Sequence, residues 1–387
     1  MLHFIHSNID QTQPHAVLLA LIDLEKAFNR VSHQLVIEDL ADMKVPGWLL
    51  LIIISYLTGR SMHMRYRGAT SSSRYLPGSS PQGAFLGILL FIIVFNGALL
   101  RPSIPRPHSL NLKYIDDLSM LFAVNLKKCL INDPVIRPRP LNYSERTQQV
   151  LQMTDNEFQN ALNELHTFVS SKHMIIKEKK TEIMKFNFAT SIDFPPEFSI
   201  NGFHENLMVR NETKILGIIL TDDLKWKRNT EYICAKAYKR MWILRRLKQL
   251  NVEPYYILEV YLKEIHSVLE LAVPAWHSGL TSKQVADIER VQRIALNIIL
   301  SDYKSKKCNM SYDMALVTLN IEPLYHRREK LCRKFAFKTL KSRHKDMFKE
   351  SHEYFTRNKP KFGTESCNTQ RFFKSPLNYL TRLLNKP

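Results

Sequence analysis

The sequence predicts an α+β protein whose first half mixes short strands with helices and whose second half is helical. Three observations carry that prediction. Short apolar or alternating runs bounded by Pro, Gly and Ser occupy residues 16–220, and from about Trp226 they give way to long stretches with apolar residues at helical spacing. Charge divides at the same place. Residues 1–225 hold 23 Lys and Arg against 21 Asp and Glu, residues 226–387 hold 32 against 15, and so +17 of the net +19 belongs to the second part. With 45% hydrophobic residues the chain is not intrinsically disordered, and 387 residues suit two or three packed units.

The elements follow in chain order. Ala16–Ile22 is an uninterrupted apolar run ended by Asp23, which predicts a central strand buried on both faces. Residues 32–43 and 48–57 read as helices, and residues 61–76 alternate around Gly68 as a hairpin. Residues 77–81 form a Pro/Gly/Ser loop that opens the apolar stretch Ala84–Leu100, in which Asn96 is the strongly polar residue. By length that stretch is a borderline membrane span; as a soluble element it would be a helix buried all round. Leu110–Tyr114, a turn carrying Asp116 and Asp117, and a returning strand to Val124 form a second hairpin. A polar connection spans 125–146, a helix carries Phe158 to Val169, and strands fall at 182–188 and 214–220. Helices at 230–250, 255–271, 283–300 and 324–340 complete the chain.

Composition narrows the function. A surplus of +19 predicts a polyanionic partner, nucleic acid or an anionic membrane surface. Eleven glycines, and neither a G-x-G-x-x-G nor a G-x-x-x-x-G-K-[ST] motif, argue against a Gly-rich nucleotide fold. Cys129, Cys234, Cys308, Cys332 and Cys367 are odd in number and far apart, so local spacing builds neither a disulfide framework nor a zinc site, and a reducing compartment is expected. The N-terminus lacks the features of a secretory signal.

Asp23 ends a buried strand and Asp116–Asp117 occupy a hairpin turn. Grouped carboxylates repel one another and resist desolvation unless a cation compensates. A few carboxylates together with a substrate phosphate suit Mg²⁺, with Mn²⁺ as the alternative. Two such ions about 4 Å apart would serve an in-line displacement at a primer 3′-hydroxyl. An Asp pair is also simply favoured in turns, and Y-x-D-D alone arises by chance in about one chain in twenty of this length.

Companion motifs stand in a fixed order. ALIDLEKAFNRVSH from Ala20, SPQGAFLGILLF from Ser80 and LKYIDDLSM from Leu112 resemble motifs A, B and C of the reverse transcriptases of non-LTR retrotransposons, most closely the Jockey-like group. Lys179-Lys180-Thr181 followed by MKFN resembles motif D, and ILGIILTDDLKW resembles motif E. LELAVPAWHSGLT and ADIERVQRIALNIIL look like the thumb.

The resemblance implies a right-hand polymerase palm, an antiparallel sheet with packed helices, over residues 1–221, a helical thumb over 222–302 and a basic helical extension over 303–387. It implies that Asp23 and Asp116 bridge the metal ions, that Asp117 shapes the site, and that the Leu24 carbonyl completes a metal shell. It gives Phe28 the role of a steric gate against the ribose 2′-hydroxyl, and Gln82 with Gly83 an approach to the incoming nucleotide. Lys180 would neutralise or protonate the leaving pyrophosphate, or else be one solvated member of a lysine run. Leu216 and Gly217 would form the primer grip.

The resemblance also turns Ala84–Leu100 into the motif B helix beneath the palm, which displaces the membrane reading. Six cations without an acid between them, Lys236, Lys239, Arg240, Arg245, Arg246 and Lys248, would grip a duplex backbone. The expected partners are an RNA template, a DNA primer, their RNA–DNA hybrid and dNTPs, in an intracellular ribonucleoprotein of nucleus or cytoplasm. Oligomeric state stays open.

Departures from the family pattern qualify this. The chain begins almost at motif A, so fingers and endonuclease are expected to be missing ahead of it. Ser79 and Ser80 stand where glycine and an apolar residue are more usual, Ala84 replaces a small polar residue, and Asn29 stands where many relatives have Asp. A nucleic-acid-binding remnant that does not extend primers is therefore the alternative to an active RNA-directed DNA polymerase.

Overall fold

A computed structural model describes residues 1–10, 15–76, 78–80, 84–100, 109–125, 143–188, 197–301, 310–349 and 361–385. The chain forms two compact units: Gln13–Arg210 make one, and Leu2–Thr12 with Asn211–Pro387 make the other. The first helix, α1 (Leu2–Ile9), therefore joins the second unit, where Asp10 accepts a 2.8 Å bond from the Asn368 amide and one from the Thr369 hydroxyl.

In the first unit, β1 (His15–Ile22) is the centre of a six-stranded sheet. Ala16, Val17, Leu18, Leu19 and Ala20 are all fully buried, which is what an unbroken apolar run requires of a strand covered on both faces. After β1 come α2 (His33–Asp42), α3 (Gly47–Leu57), the short strands β2 (Ser61–Met62), β3 (Arg65–Tyr66), β4 (Ala69–Thr70) and β5 (Arg74–Tyr75), and α4 (Phe85–Leu100). Strands β6 (Ser109–Tyr114) and β7 (Asp117–Asn125) precede α5 (Tyr143–Ser171), β8 (Glu182–Asn187), β9 (Glu197–Phe198) and β10 (Leu207–Arg210).

The sheet order is β6-β7-β1-β8-β10-β9. Pairs β6·β7, β7·β1 and β1·β8 are antiparallel, but β10 runs parallel to β8. The expected antiparallel sheet is thus mixed. The cause is the connection from Asn187 to Leu207, long enough for a crossover where a hairpin would have forced antiparallel pairing.

One face of the sheet packs Leu18, Ala20, Ile22 and Phe122 against Phe91 and Phe95 of α4 and Phe158 and Leu162 of α5. Phe158 meets Phe122 and Phe198 edge to face at 5.3 and 5.1 Å. Lys172, just past α5, holds Asp39 of α2 at 2.6 Å. Helix α4, apolar apart from Asn96, is not buried on every side: Leu90, Phe91, Val94 and Phe95 are buried, while Phe85 is 85% exposed. Among the described residues no helix is long and apolar enough to cross a membrane.

The second unit opens with a hairpin, β11 (Glu212–Ile215) and β12 (Ile218–Thr221), where a single strand and a helical domain were expected. Leu216 and Gly217 between them both have positive φ, 47° and 87°, the geometry of a tight two-residue hairpin turn. Helices α6 (Lys227–Gln249), α7 (Pro254–Val260), α8 (Ser267–Leu269), α9 (Val273–Trp276), α10 (Ser282–Leu300), α11 (Tyr312–Thr318), α12 (Leu324–Leu340), α13 (Gln370–Phe373) and α14 (Pro376–Asn385) follow.

The helix expected over 255–271 is widened to a π-turn at Tyr261–His266. There the fully buried Tyr261 hydroxyl donates to Gln292, whose amide donates in turn to the Glu322 carbonyl, both at 2.9 Å. Helix α6 lies against α10 and α12 against α14, around Trp276 and a fully buried Arg328. Residues 301–302, where the sequence reading ends the thumb, fall at the edge of a segment outside the described residues.

Candidate active site

Sheet register builds the site. Ile22 faces Leu118 across β1 and β7, so Asp23 comes level with Asp117 at the start of β7, and the two-residue turn Ile115–Asp116 closes the β6–β7 hairpin beside it. Ile115 has φ 57°, a left-handed conformation in which a β-branched residue is strained. The two aspartates that the sequence separates by more than ninety positions thereby meet at one sheet end.

A third segment closes on the same end. The Lys177 amide donates to the Asp23 carbonyl and the Glu25 amide to the Ile175 carbonyl, both at 2.8 Å. These bonds pin the turn Glu178–Lys180 to the end of β1 and leave the Leu24 carbonyl outside the bridge. Lys180 Nζ stands 3.5 Å from Asp23 Oδ2. Burial first, and then the negative charges of Asp116 and Asp23, hold the Asp117 carboxyl above the usual carboxylate range, with Lys180 opposing them. Three carboxylates and one lysine therefore share one electrostatic site.

Among the described residues no three His, Cys, Asp or Glu side chains are placed to enclose a metal ion by themselves. The donors that do converge are hard oxygens, the carboxylates of Asp23, Asp116 and Asp117, which repel one another. That set fits a divalent cation that takes its remaining ligands from water or a bound phosphate.

Phe28 lies in the short helical turn Ala27–Arg30 that follows Lys26, whose φ of 49° turns the chain sharply within motif A. Its ring stacks on Phe91 of α4 at 4.7 Å; Phe91 stacks on Phe95 at 5.7 Å, and Lys113 Nζ sits 4.8 Å over Phe95 while donating to the Ile92 carbonyl at 3.1 Å. Burial pushes the Lys113 ammonium down to about 8. Position 28 is therefore the end of a stacked ladder that reaches back to β6, a relation no sequence spacing announces.

Gln82 and Gly83 lie outside the described residues. What leads into them is anchored: the Ser80 amide donates to the Phe28 carbonyl at 2.7 Å, the Ser79 amide to the Val31 carbonyl at 2.9 Å, and the buried Ser80 hydroxyl to the Gly87 carbonyl at 2.5 Å. Ser79 adopts φ 93°, a conformation that glycine takes more readily than any residue with a side chain.

Leu216, which is exposed, and Gly217 form the β11–β12 turn, which belongs to the second unit. Of the six α6 cations expected to grip a duplex, Lys239, Arg245 and Arg246 are exposed. Two are engaged in packing: Arg240 donates to the Glu264 carbonyl and carboxylate, and Lys248 donates to the Ile299 carbonyl at 2.9 Å. Lys236 is half-buried. The sequence reading missed Trp242, 62% exposed amid these cations; an apolar residue off the buried stripe was the available sign.

Residues 2–220 match the family described as "Reverse transcriptase (RNA-dependent DNA polymerase)". A curated relative, a probable RNA-directed DNA polymerase from transposon BS of Drosophila melanogaster, is 31% identical over 128 residues; the match covers 32% of this chain and 14% of the relative. Among solved structures, telomerase of Candida albicans has TM-score 0.33 at 12% identity over 88% of this chain and 51% of that one. Telomerase of Candida tropicalis has TM-score 0.38 at 9% identity over 99% and 48%. Both were solved with a fragment of telomeric RNA, and likeness at this level decides neither fold nor chemistry here.

Proposed function

The chain belongs to the reverse transcriptase (RNA-dependent DNA polymerase) family, whose members are nucleotidyltransferases, and from that premise we propose that it is the polymerase part of a Jockey-like non-LTR retrotransposon. Its reaction is the template-directed addition of deoxynucleotides to a primer 3′-end. The observation that carries the reading is the meeting of Asp23, Asp116 and Asp117 at one sheet end, with Lys180 3.5 Å from Asp23.

Asp23, Asp116 and the Leu24 carbonyl would hold two Mg²⁺ ions, which when bound lower the pKa of the attacking hydroxyl and neutralise charge on the phosphates. Asp117 keeps the two metal-binding carboxylates in register through its place at the start of β7. The Phe28 ring fills the space of a ribose 2′-hydroxyl and so selects deoxynucleotides. Lys180, paired with Asp23 in the resting chain, supplies positive charge, or a proton, to the departing pyrophosphate. The nucleotide side of the site is the Phe28 turn together with Gln82 and Gly83.

The first unit is the palm, and the helices after the β11–β12 hairpin are the thumb and its basic extension. The exposed turn at Leu216 and Gly217 would contact the primer, while Lys239, Arg245 and Arg246 contact the duplex backbone, an attraction that weakens with salt. Primer extension on an RNA template with Mg²⁺ tests the proposal: the unmodified chain extends, and Asp116→Ala reduces product to background. Extension that survives Asp116→Ala overturns the metal assignment, and an unmodified chain that binds primer–template without extending it supports the binding-only alternative.

A further inference from the structure

We propose that the hairpin Ser61–Tyr75 is a docking surface for single-stranded RNA, its arginines taking phosphates and Tyr66 and Tyr75 stacking on unpaired bases. Two short ladders build it, Ser61↔Tyr75 with Met62↔Arg74 and Arg65↔Thr70 with Tyr66↔Ala69, and Arg67 and Gly68 turn it at φ 46° and 85°. Every residue from 61 to 75 is exposed. A two-stranded ribbon with no buried face is marginal by itself, and this one nevertheless displays Tyr66 at 70% and Tyr75 at 67% exposure.

Charge selects the partner. Between Asp42 and Asp116 the sequence has eight Lys and Arg and no Asp or Glu. Arg65, Arg67 and Arg74 lie on the ribbon, and among the described residues the ion pairs of this unit, Arg30–Glu25, Lys172–Asp39 and Lys180–Asp23, do not use them. Arg67 stands 5.4 Å over the Tyr66 ring, so a cation already backs one stacking platform. Cations interleaved with exposed rings suit a strand whose bases are unpaired, because a duplex offers phosphates but no free base faces. The exposed hydroxyls of Thr70, Ser72 and Ser73 beside Arg74 supply partners for a ribose 2′-hydroxyl, which favours RNA over DNA. The ribbon is closed by the Leu76 amide on the Arg60 carbonyl, and four residues later Ser80 is bonded to Phe28, which ties its root to the gate turn. The choice of RNA, as template, rests on the polymerase reading; the stacking and charge do not.

The test uses the full chain and a labelled oligo(U) RNA of about 16 nucleotides, without primer, dNTP or metal, titrated over a range of salt. Replacing Arg65, Arg67 and Arg74 together by Gln should lower the slope of log affinity against log salt by about 2, from roughly 0.7 per phosphate contact, and weaken binding at least about tenfold. Tyr66→Ala with Tyr75→Ala should weaken binding about tenfold with little change in slope. Single-stranded DNA should displace the RNA less well than RNA does, and duplex competition should be indifferent to the tyrosine variant. Thermal unfolding checks that each variant folds, and photo-crosslinking of 4-thiouridine RNA to the unmodified chain should mark peptides of residues 61–75. An unchanged slope and affinity in the folded arginine variant, crosslinks confined to other segments, or DNA displacing as well as RNA overturns the proposal. Asp116→Ala should bind the oligo(U) as tightly as the unmodified chain, so loss of polymerisation and loss of docking are read separately.

Discussion

At Asp117 burial and two neighbouring carboxylates act in the same direction, and the resulting upward shift is a statement about stability. An acid whose folded pKa lies above its unfolded value disfavours folding once the unfolded chain ionises, so its unfavourable contribution is absent below the ordinary value of 3.8 and grows as pH rises past it. Asp117→Asn should therefore raise the melting temperature at pH 7, with a gain that shrinks as pH is lowered toward 3.8; a gain independent of pH would show that charge is not its source. The Phe28–Phe91 stack makes a second prediction. Phe91→Leu keeps most of the buried volume, removes a ring pair worth about 1 kcal/mol, and frees the Phe28 ring. On the gate role proposed for Phe28, primer extension with single ribonucleotides should rise relative to deoxynucleotides, by about tenfold, and unchanged discrimination would overturn either that role or its dependence on the Phe91 stack.

Among the elements, the hairpin β11–β12 and the helix α10 show how local chemistry fixes geometry. Gly217 has φ 87°, and a Cβ there would come within 2.9 Å of Leu271 Cδ2, so the turn needs glycine for both backbone and space. Helix α10 starts on a reciprocal cap: the Gln284 amide donates to the Thr281 hydroxyl at 3.4 Å while the Thr281 amide donates to the Gln284 side chain at 2.7 Å. Thr281→Ala should cost about 1 kcal/mol of stability in denaturant unfolding, and Thr281→Ser should restore most of it. That cap is legible in the T-x-x-Q spacing. The π-turn at Tyr261–His266 is not, because it follows from seating Tyr261 against Gln292, thirty-one positions away.

For the molecule as a whole, the second unit carries an acid sensitivity that its net charge does not reveal. His6, His266 and His277 are buried, and burial, with Arg371, Arg327 and Arg328 respectively nearby, pushes each imidazole down to about 4. Neutral His277 accepts the Arg328 Nε bond at 3.4 Å, which a protonated ring could not do. Because these folded values lie below the unfolded 6.5, the stability they contribute is complete above pH 6.5 and is lost as pH falls toward 4. Denaturant unfolding should show a falling midpoint across that window, and His266→Gln should flatten part of the fall; a midpoint unchanged between pH 6.5 and 4 would refute the neutral assignment.

The sequence by itself determined the central strand, the order of the carboxylate motifs and the basic second half, because apolar periodicity, residue order and charge are properties of the chain alone. Tertiary structure decided the rest. It put Asp23 beside Asp117 through strand register, gave Phe28 a stacked backing in α4, assigned Arg240 and Lys248 to packing, and placed β11–β12 with the helices, since each of these depends on which distant surfaces meet and not on which residues are neighbours in sequence.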